Sequence, residues 1–343
     1  MVTTAPLPGA VVHTGCMTAL DQARQRIAAR PPAPRILAHL EDHYGISVSG
    51  LTRLDLGVYR AERRDGPEWA VRIFPAVRPA AATAGDAEIL GFLAEQDFGS
   101  ERAAAAEPLS VIDGQAMLVT EFVAAGPRSE RAAAIRAAGG LRRLGEMLGQ
   151  LASMPADGGA LARPGGCWHH LADGSPAEEI EAARALLAER EEAARPADRD
   201  GYEALWTAIS DVDGGDGLPE SLIHPDFVLA NVIDSRDRGM VVVDWAGAGR
   251  GPRLWPLAFL LYAEAAKDVR RIGRVIDGYR GQVALEPEEL ARLAPMMLAR
   301  PVVLAVWSRC LGRIGLEEAT RAVAMHRAVV DAAAPYARAL LSA

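Results

Sequence analysis

The sequence predicts an α+β protein of two lobes, a small β-rich amino-terminal lobe and a larger, mostly helical carboxy-terminal one. Within residues 46–74, three short runs rich in branched and aromatic residues are separated by turn signals. The last two runs meet at Arg64-Asp65-Gly66-Pro67, where Asp-Gly favours a tight hairpin turn. Beyond residue 126, apolar residues recur at helical spacing almost to the end, with one short hairpin in between. At 343 residues, half of them apolar and 24% charged, the chain has the composition of an ordinary globular protein and enough length for two lobes rather than one.

The chain divides into three segments. Residues 1–34 read as a leader and an amino-terminal helix. The first sixteen lack the basic start and sustained apolar run of a signal peptide; they read as a disordered leader, with Met17 as a second candidate start. Helical spacing at 18–30 stops at Pro31-Pro-Ala-Pro34. Residues 35–125 form the amino-terminal lobe: a helix at 35–44, strands at 46–54, 58–63 and 69–74, a helix at 83–95, and a hairpin of 109–113 and 116–122 around Gly114. Residues 126–343 form the other lobe, opening with one long helix at 129–153 and continuing through amphipathic helices at 178–195 and 202–210.

Several partners are disfavoured by composition. A net charge of −8 gives no support to nucleic acid, and the basic side chains are almost all arginine, Lys267 being the one lysine. Cys16, Cys167 and Cys310 are odd in number and far apart, as expected of free thiols in a reducing compartment, the cytoplasm, rather than of a disulfide framework. Apolar stretches fall short of the ~18 residues a membrane helix needs: 254–266 is too short, and 296–307 is interrupted by Arg300 and Pro301. No membrane partner is expected, and the oligomeric state is open.

The chemistry concentrates in Leu222-Ile-His-Pro-Asp-Phe-Val-Leu-Ala-Asn-Val-Ile233 and Met240-Val-Val-Val-Asp-Trp245. Two apolar arms, Val228-Leu-Ala and Val241-Val-Val243, flank a polar turn ending at Gly239. Asp226, Asn231 and Asp244 therefore gather at one edge of a hairpin. Phosphoryl transfer from ATP uses such a set: one carboxylate receives the proton of the acceptor hydroxyl, while an amide oxygen and a second carboxylate are hard ligands for Mg²⁺. Asp226 fits the first role, Asn231 and Asp244 the second. The plainer alternative is a hairpin whose Asp caps a turn and whose Asn satisfies backbone groups.

His224-Pro-Asp226, Asn231 and Val243-Asp244-Trp245 resemble the loop and metal site of the aminoglycoside phosphotransferase-like small-molecule kinases, whose loop reads H-x-D-x-x-x-x-N. The resemblance covers about 51–261 and implies a two-lobed protein-kinase-like fold. It also implies ATP or GTP with Mg as cofactors, and a small-molecule hydroxyl as acceptor: an aminoglycoside-like antibiotic, as in antibiotic-resistance enzymes, a sugar, an amino alcohol or another metabolite. His224, ahead of Pro225, organises the catalytic loop rather than carrying protons. Trp69-Ala-Val-Arg72-Ile-Phe74 takes the place of the kinase V-A-I-K strand, with Arg72 as the phosphate-contacting cation; an outward-facing arginine is the alternative. Glu88 is the expected partner of that cation, with Asp86 and Glu95 as alternatives. Backbone amides near Gly57 cover the nucleotide, and groups at Glu121 to Val123 in the hinge read the adenine edge.

Two stretches depart from the pattern. Cys167-Trp-His-His170 with Asp173 invites a zinc reading, although its spacing matches no common site; a loop packing Trp168 near the acceptor is the other reading. Pro256-Leu-Ala258 stands where the family has D-L-A, removing an aspartate that braces the catalytic loop. The alternative function is therefore a nucleotide-binding pseudokinase with a regulatory or scaffold role. A hydrolase is unsupported, since G-x-S-x-G and H-E-x-x-H are both missing from the sequence.

Overall fold

Five antiparallel strands build the amino-terminal sheet: β1 (Val48–Asp55), β2 (Val58–Arg63), β3 (Trp69–Ile73), β4 (Leu109–Ile112) and β5 (Gln115–Glu121), in the order β1-β2-β3-β5-β4. These come from a computed structural model describing residues 17–28, 30–124, 128–137, 139–154 and 158–343. The expected leader and the end of the hinge, residues 125–127, lie outside the described residues. In β3 the period of two puts Trp69, Val71 and Ile73 into the lobe's core and turns Ala70 and Arg72 to the other face. Helix α1 (Ala19–Arg26) is followed by α2 (Ala33–Tyr44), which covers the sheet core with Ile36 and Leu40 and ends at left-handed Gly45. Helix α3 (Ala80–Glu95) connects β3 to β4.

The rest is mostly helical, and the fold as a whole is α+β and protein-kinase-like. The expected helix at 129–153 is two helices, α4 (Arg128–Ala137) and α5 (Gly140–Ala152), because Gly139 takes a left-handed conformation at φ 76°. There follow α6 (Pro176–Glu192), started by a Ser175/Glu178 capping box, and α7 (Arg199–Ser210). Strand β6 (Glu220–Ile223) pairs with β9 (Gly249–Pro252), and between them β7 (Val232–Ser235) pairs with β8 (Gly239–Val242). The chain closes with α8 (Leu254–Ala265), α9 (Ile272–Tyr279), α10 (Pro287–Cys310) and α11 (Leu316–Leu341).

Helix α10 corrects the expectation that apolar stretches fall short of membrane length. It runs unbroken through Pro295 and Pro301, although proline removes a helical N–H, because burial of residues on most of its circumference holds the backbone in place. It is long and apolar enough to cross a membrane, but 67% of its apolar window is buried inside the protein, as in a core helix. Helix α1 packs against α6, where the Leu20 amide donates to Glu189 at 3.0 Å. Arg26 at its end is buried, bound to Asp173 at 2.7 Å and to the His169 carbonyl at 2.9 Å.

Candidate active site

Strand β6 delivers the chain to His224, whose ring is fully buried edge-on against Trp245 and Phe227. Nδ1 accepts the Asp226 amide N–H at 2.9 Å, so Nε2 carries the proton and donates to the Val243 carbonyl at 3.2 Å. Burial pushes the His224 pKa down to about 4, keeping the ring neutral and structural. One imidazole thus ties the start of the loop to the segment after β8.

Residues 228–230 are not the first hairpin arm. They belong to a turn, 3-10 over Leu229–Asn231, and the paired strands begin only at Val232, opposite Val242. A short apolar run reads the same in either state, and here the turn is set by the Asn231 N–H bonding the Val228 carbonyl at 2.9 Å. That turn folds Asn231 back onto Asp226: its Nδ2 donates to the Asp226 carboxylate at 2.8 Å and to the Asp226 carbonyl at 2.9 Å.

Asp244 follows β8 in a left-handed conformation, φ 73°, unusual for a residue other than glycine. Its carboxylate pairs with Nη1 of Arg72 at 2.7 Å. Burial works against the Arg72 charge, but Asp244, Glu101, Asp86 and Asp55 outweigh it and raise the guanidinium pKa. Arg72 therefore faces inward. A cleft of 460 Å³ is lined by Arg72, Glu101, Val123, Asn231 and Asp244, with Val58 and Ala70 from the sheet. Glu121 is exposed at its hinge edge and pairs with Arg238 at 3.2 Å, while Val123 packs on Ile233 and Val241. Gly57, left-handed at φ 73°, turns tightly between β1 and β2; a side chain there would meet the Ile73 carbonyl at 2.5 Å.

Glu88 is not the partner of Arg72. The buried face of α3 carries Thr83, Asp86, Ile89, Leu90 and Leu93, and the helical period leaves Glu88 and Glu95 exposed to solvent. Asp86, the buried acid of that helix, is paired with Arg78 at 2.8 Å and with Arg163, and accepts the Gly247 N–H at 3.2 Å.

Two residues of the site were missed by the sequence reading. Glu101 accepts the amide N–H groups of Asp244 and Trp245, at 2.9 and 3.3 Å, and the Thr120 hydroxyl at 3.0 Å; Gly-Ser-Glu-Arg offers no signal for it. Arg300 on α10 is fully buried. It pairs with Glu179 at 2.7 Å and donates to the carbonyls of Pro225, at 2.9 Å, and Gly166, at 3.0 Å. Its signal was the one charge within the apolar run 293–307. Pro256 sits in the first turn of α8, and Arg300 grips the catalytic loop from another helix.

The loop at 167–170 lies beside this site. Cys167 and His169 are buried, the His169 and His170 rings are 4.0 Å apart, and Trp168 packs edge-on against Trp307 at 4.9 Å. Among the described residues no group of three His, Cys, Asp or Glu side chains is arranged to hold a metal on its own.

Residues 56–295 match the profile of the phosphotransferase enzyme family, APH. The fold is similar to that of a spectinomycin phosphotransferase solved with ADP and spectinomycin, at 12% identity and TM-score 0.58, covering 90% of this chain and 99% of that one. It is also similar to a choline kinase from Streptococcus pneumoniae, at 13% identity and TM-score 0.55, covering 84% and 97%. A macrolide 2'-phosphotransferase from Brachybacterium faecium aligns at 19% identity and TM-score 0.50, again covering 84% and 97%. No curated protein sequence matches the chain.

Proposed function

The chain belongs to the phosphotransferase enzyme family, small-molecule kinases acting on hydroxyl groups, and on that premise we propose that it moves the γ-phosphate of ATP or GTP to a hydroxyl of a small molecule, with Asp226 as the base. The observation that carries this reading is the convergence of Asn231, Asp244 and Arg72 on one cleft, with Asp226 hydrogen-bonded to Asn231. Nucleotide binding is further supported by the ADP and AMP found in similar structures.

The donor set fits Mg²⁺. Asn231 and Asp244 offer hard oxygens to a cleft that Glu101, Arg72 and Arg131 also line. Mg²⁺ takes one or two protein ligands and completes its shell with phosphate and water, so a cluster of three acids is not required. When bound, it neutralises charge on the β- and γ-phosphates.

The protein's own groups do the rest. Asp226 receives the acceptor proton as the acceptor oxygen bonds to the γ-phosphorus and the bond to the bridging oxygen breaks. Asn231 holds the Asp226 carboxylate in position, while neutral His224 and Arg300 fix the loop's backbone. Arg72 lies where its permanent charge stabilises the transferring group. Acceptor candidates are hydroxylated molecules of the kinds named for the similar structures: spectinomycin, choline or a macrolide.

Asp226→Ala tests the reading. Turnover against a panel of such acceptors should vanish while calorimetry shows nucleotide binding intact; turnover in the variant equal to wild type refutes the base. The pairing of Arg72 with Asp244 favours one second reading, a nucleotide-binding pseudokinase, which a wild-type protein inactive across the whole panel would support.

A further inference from the structure

We propose that Glu101 is the positioning residue of the phosphate site: it sets the backbone of Asp244 and brings a carboxylate to the cleft beside the Asp244–Arg72 pair, from a segment outside α3. The inference rests on the phosphotransferase reading above and assigns to that site a residue outside its sequence motifs.

Glu101 is only 6% exposed, and both its oxygens are used. One receives two successive amides, those of Asp244 and Trp245, and the other receives the Thr120 hydroxyl. Two consecutive N–H groups aimed at one carboxylate are the arrangement by which backbone binds an anion. Here the anion is built in, and it holds Asp244 in its left-handed conformation, which is strained for a residue with a Cβ and persists only where its surroundings over-determine it.

The segment bearing Glu101 is joined to both lobes. On one side it adds to β8: the Val242 N–H donates to the Gly99 carbonyl at 2.8 Å and the Glu101 N–H to the Val242 carbonyl at 3.1 Å. On the other it meets β5, where the Glu121 N–H donates to the Arg102 carbonyl at 2.8 Å. The approach to β8 requires Gly99, since a Cβ there would lie 2.4 Å from the Met240 carbonyl oxygen. A carboxylate carried by this segment therefore holds the aspartate after β8 and lines the same cleft as the cation of β3. The acids of α3 do not line this cleft: Glu88 and Glu95 face solvent, and Asp86, whose charge also acts on Arg72, is engaged by Arg78 and Arg163.

Glu101→Gln separates the two parts of the role. An amide in this place still accepts the Asp244 and Trp245 N–H groups through its oxygen and donates to Thr120 through its nitrogen, so the frame persists while the charge is lost. Arg72, already paired with Asp244, then loses a second nearby negative charge, so Mg²⁺ must compete with it harder for Asp244. Calorimetry of ATP binding over a magnesium series should show the half-saturating Mg²⁺ raised about tenfold, the size of one charge interaction, with an unchanged Tm. Activity, where an acceptor is found, should return towards wild-type kcat at high Mg²⁺. Glu101→Ala, losing frame and charge, should not be rescued by the metal. An unchanged magnesium dependence in Glu101→Gln overturns the inference, as does a loss of binding that tracks a lowered Tm. Wild-type protein binding ATP without regard to Mg²⁺ would remove the phosphotransferase reading itself.

Discussion

Nη1 of Arg72 lies 2.7 Å from the carboxylate of Asp244, so the cation of β3 and the acid that follows β8 form one electrostatic unit across the cleft between the sheet and the catalytic hairpin. Altering either group removes this ion pair from the other. Arg72→Ala should therefore cost about 2–4 kcal/mol in kcat/KM, as for removal of a preorganised donor at a transferring group. Arg72→Lys keeps the charge on a shorter, more flexible stem and should recover part of the loss. Steady-state kinetics with a working acceptor checks the series. Equal tolerance of both changes would move the phosphate cation elsewhere.

Asn231 and Asp244 should separate by kinetics. Asp244→Ala should weaken Mg²⁺-dependent ATP binding measured by calorimetry, and an affinity still responding to Mg²⁺ as in wild type would exclude a ligand role. Asn231→Ala should show a smaller loss of that kind together with a lower kcat, because the Asp226 carboxylate loses its amide donor. A hydrogen bond to a charged group contributes about 1.5–3 kcal/mol, which corresponds to roughly ten- to a hundredfold in rate.

Arg300 should be a residue of stability as well as of loop geometry. Arg300→Met leaves Glu179 charged and buried and frees the Pro225 carbonyl, so unfolding in denaturant should show a loss of about 3–5 kcal/mol. Adding Glu179→Leu removes the stranded charge and should restore much of that stability. Activity should stay low in the double variant, since the grip on Pro225 is still missing. Full activity there would mean that the catalytic loop does not depend on Arg300.

Acid should weaken the fold through His224. Its folded pKa of about 4 lies below the ordinary 6.5, so between those values the unfolded chain binds a proton that the folded chain refuses. Stability is complete above pH 6.5 and falls as pH drops towards 4, by up to about 3 kcal/mol from this group. His224→Asn keeps an acceptor for the Asp226 amide but does not titrate. Denaturation curves from pH 7.5 to 4.5 should be flatter in pH for the variant than for wild type, and identical slopes would contradict a buried neutral ring.

Reading outward from these groups, what was legible in the chain is what local chemistry dictates. Asp-Gly between branched runs marks the turn into β3, the period of two places Arg72 on the face opposite Val71, and the spacing of Asp226 and Asn231 brings their side chains together. Glycine, proline and short-range spacing act over a few residues, so a sequence can state them. Boundaries suffered where local signals conflict with packing: the helix at 129–153 divides at Gly139, and residues 228–230 form a turn. Glu88 shows the same limit, since its distance along the chain from Arg72 suited a pairing that the rotation of α3 does not allow. Tertiary structure alone decided that Glu101 meets Asp244 from 143 residues away, and that Arg300 holds Pro225 across 75. A buried charge finds its partner by the way helices and strands pack in space, and no periodicity in the chain encodes that meeting.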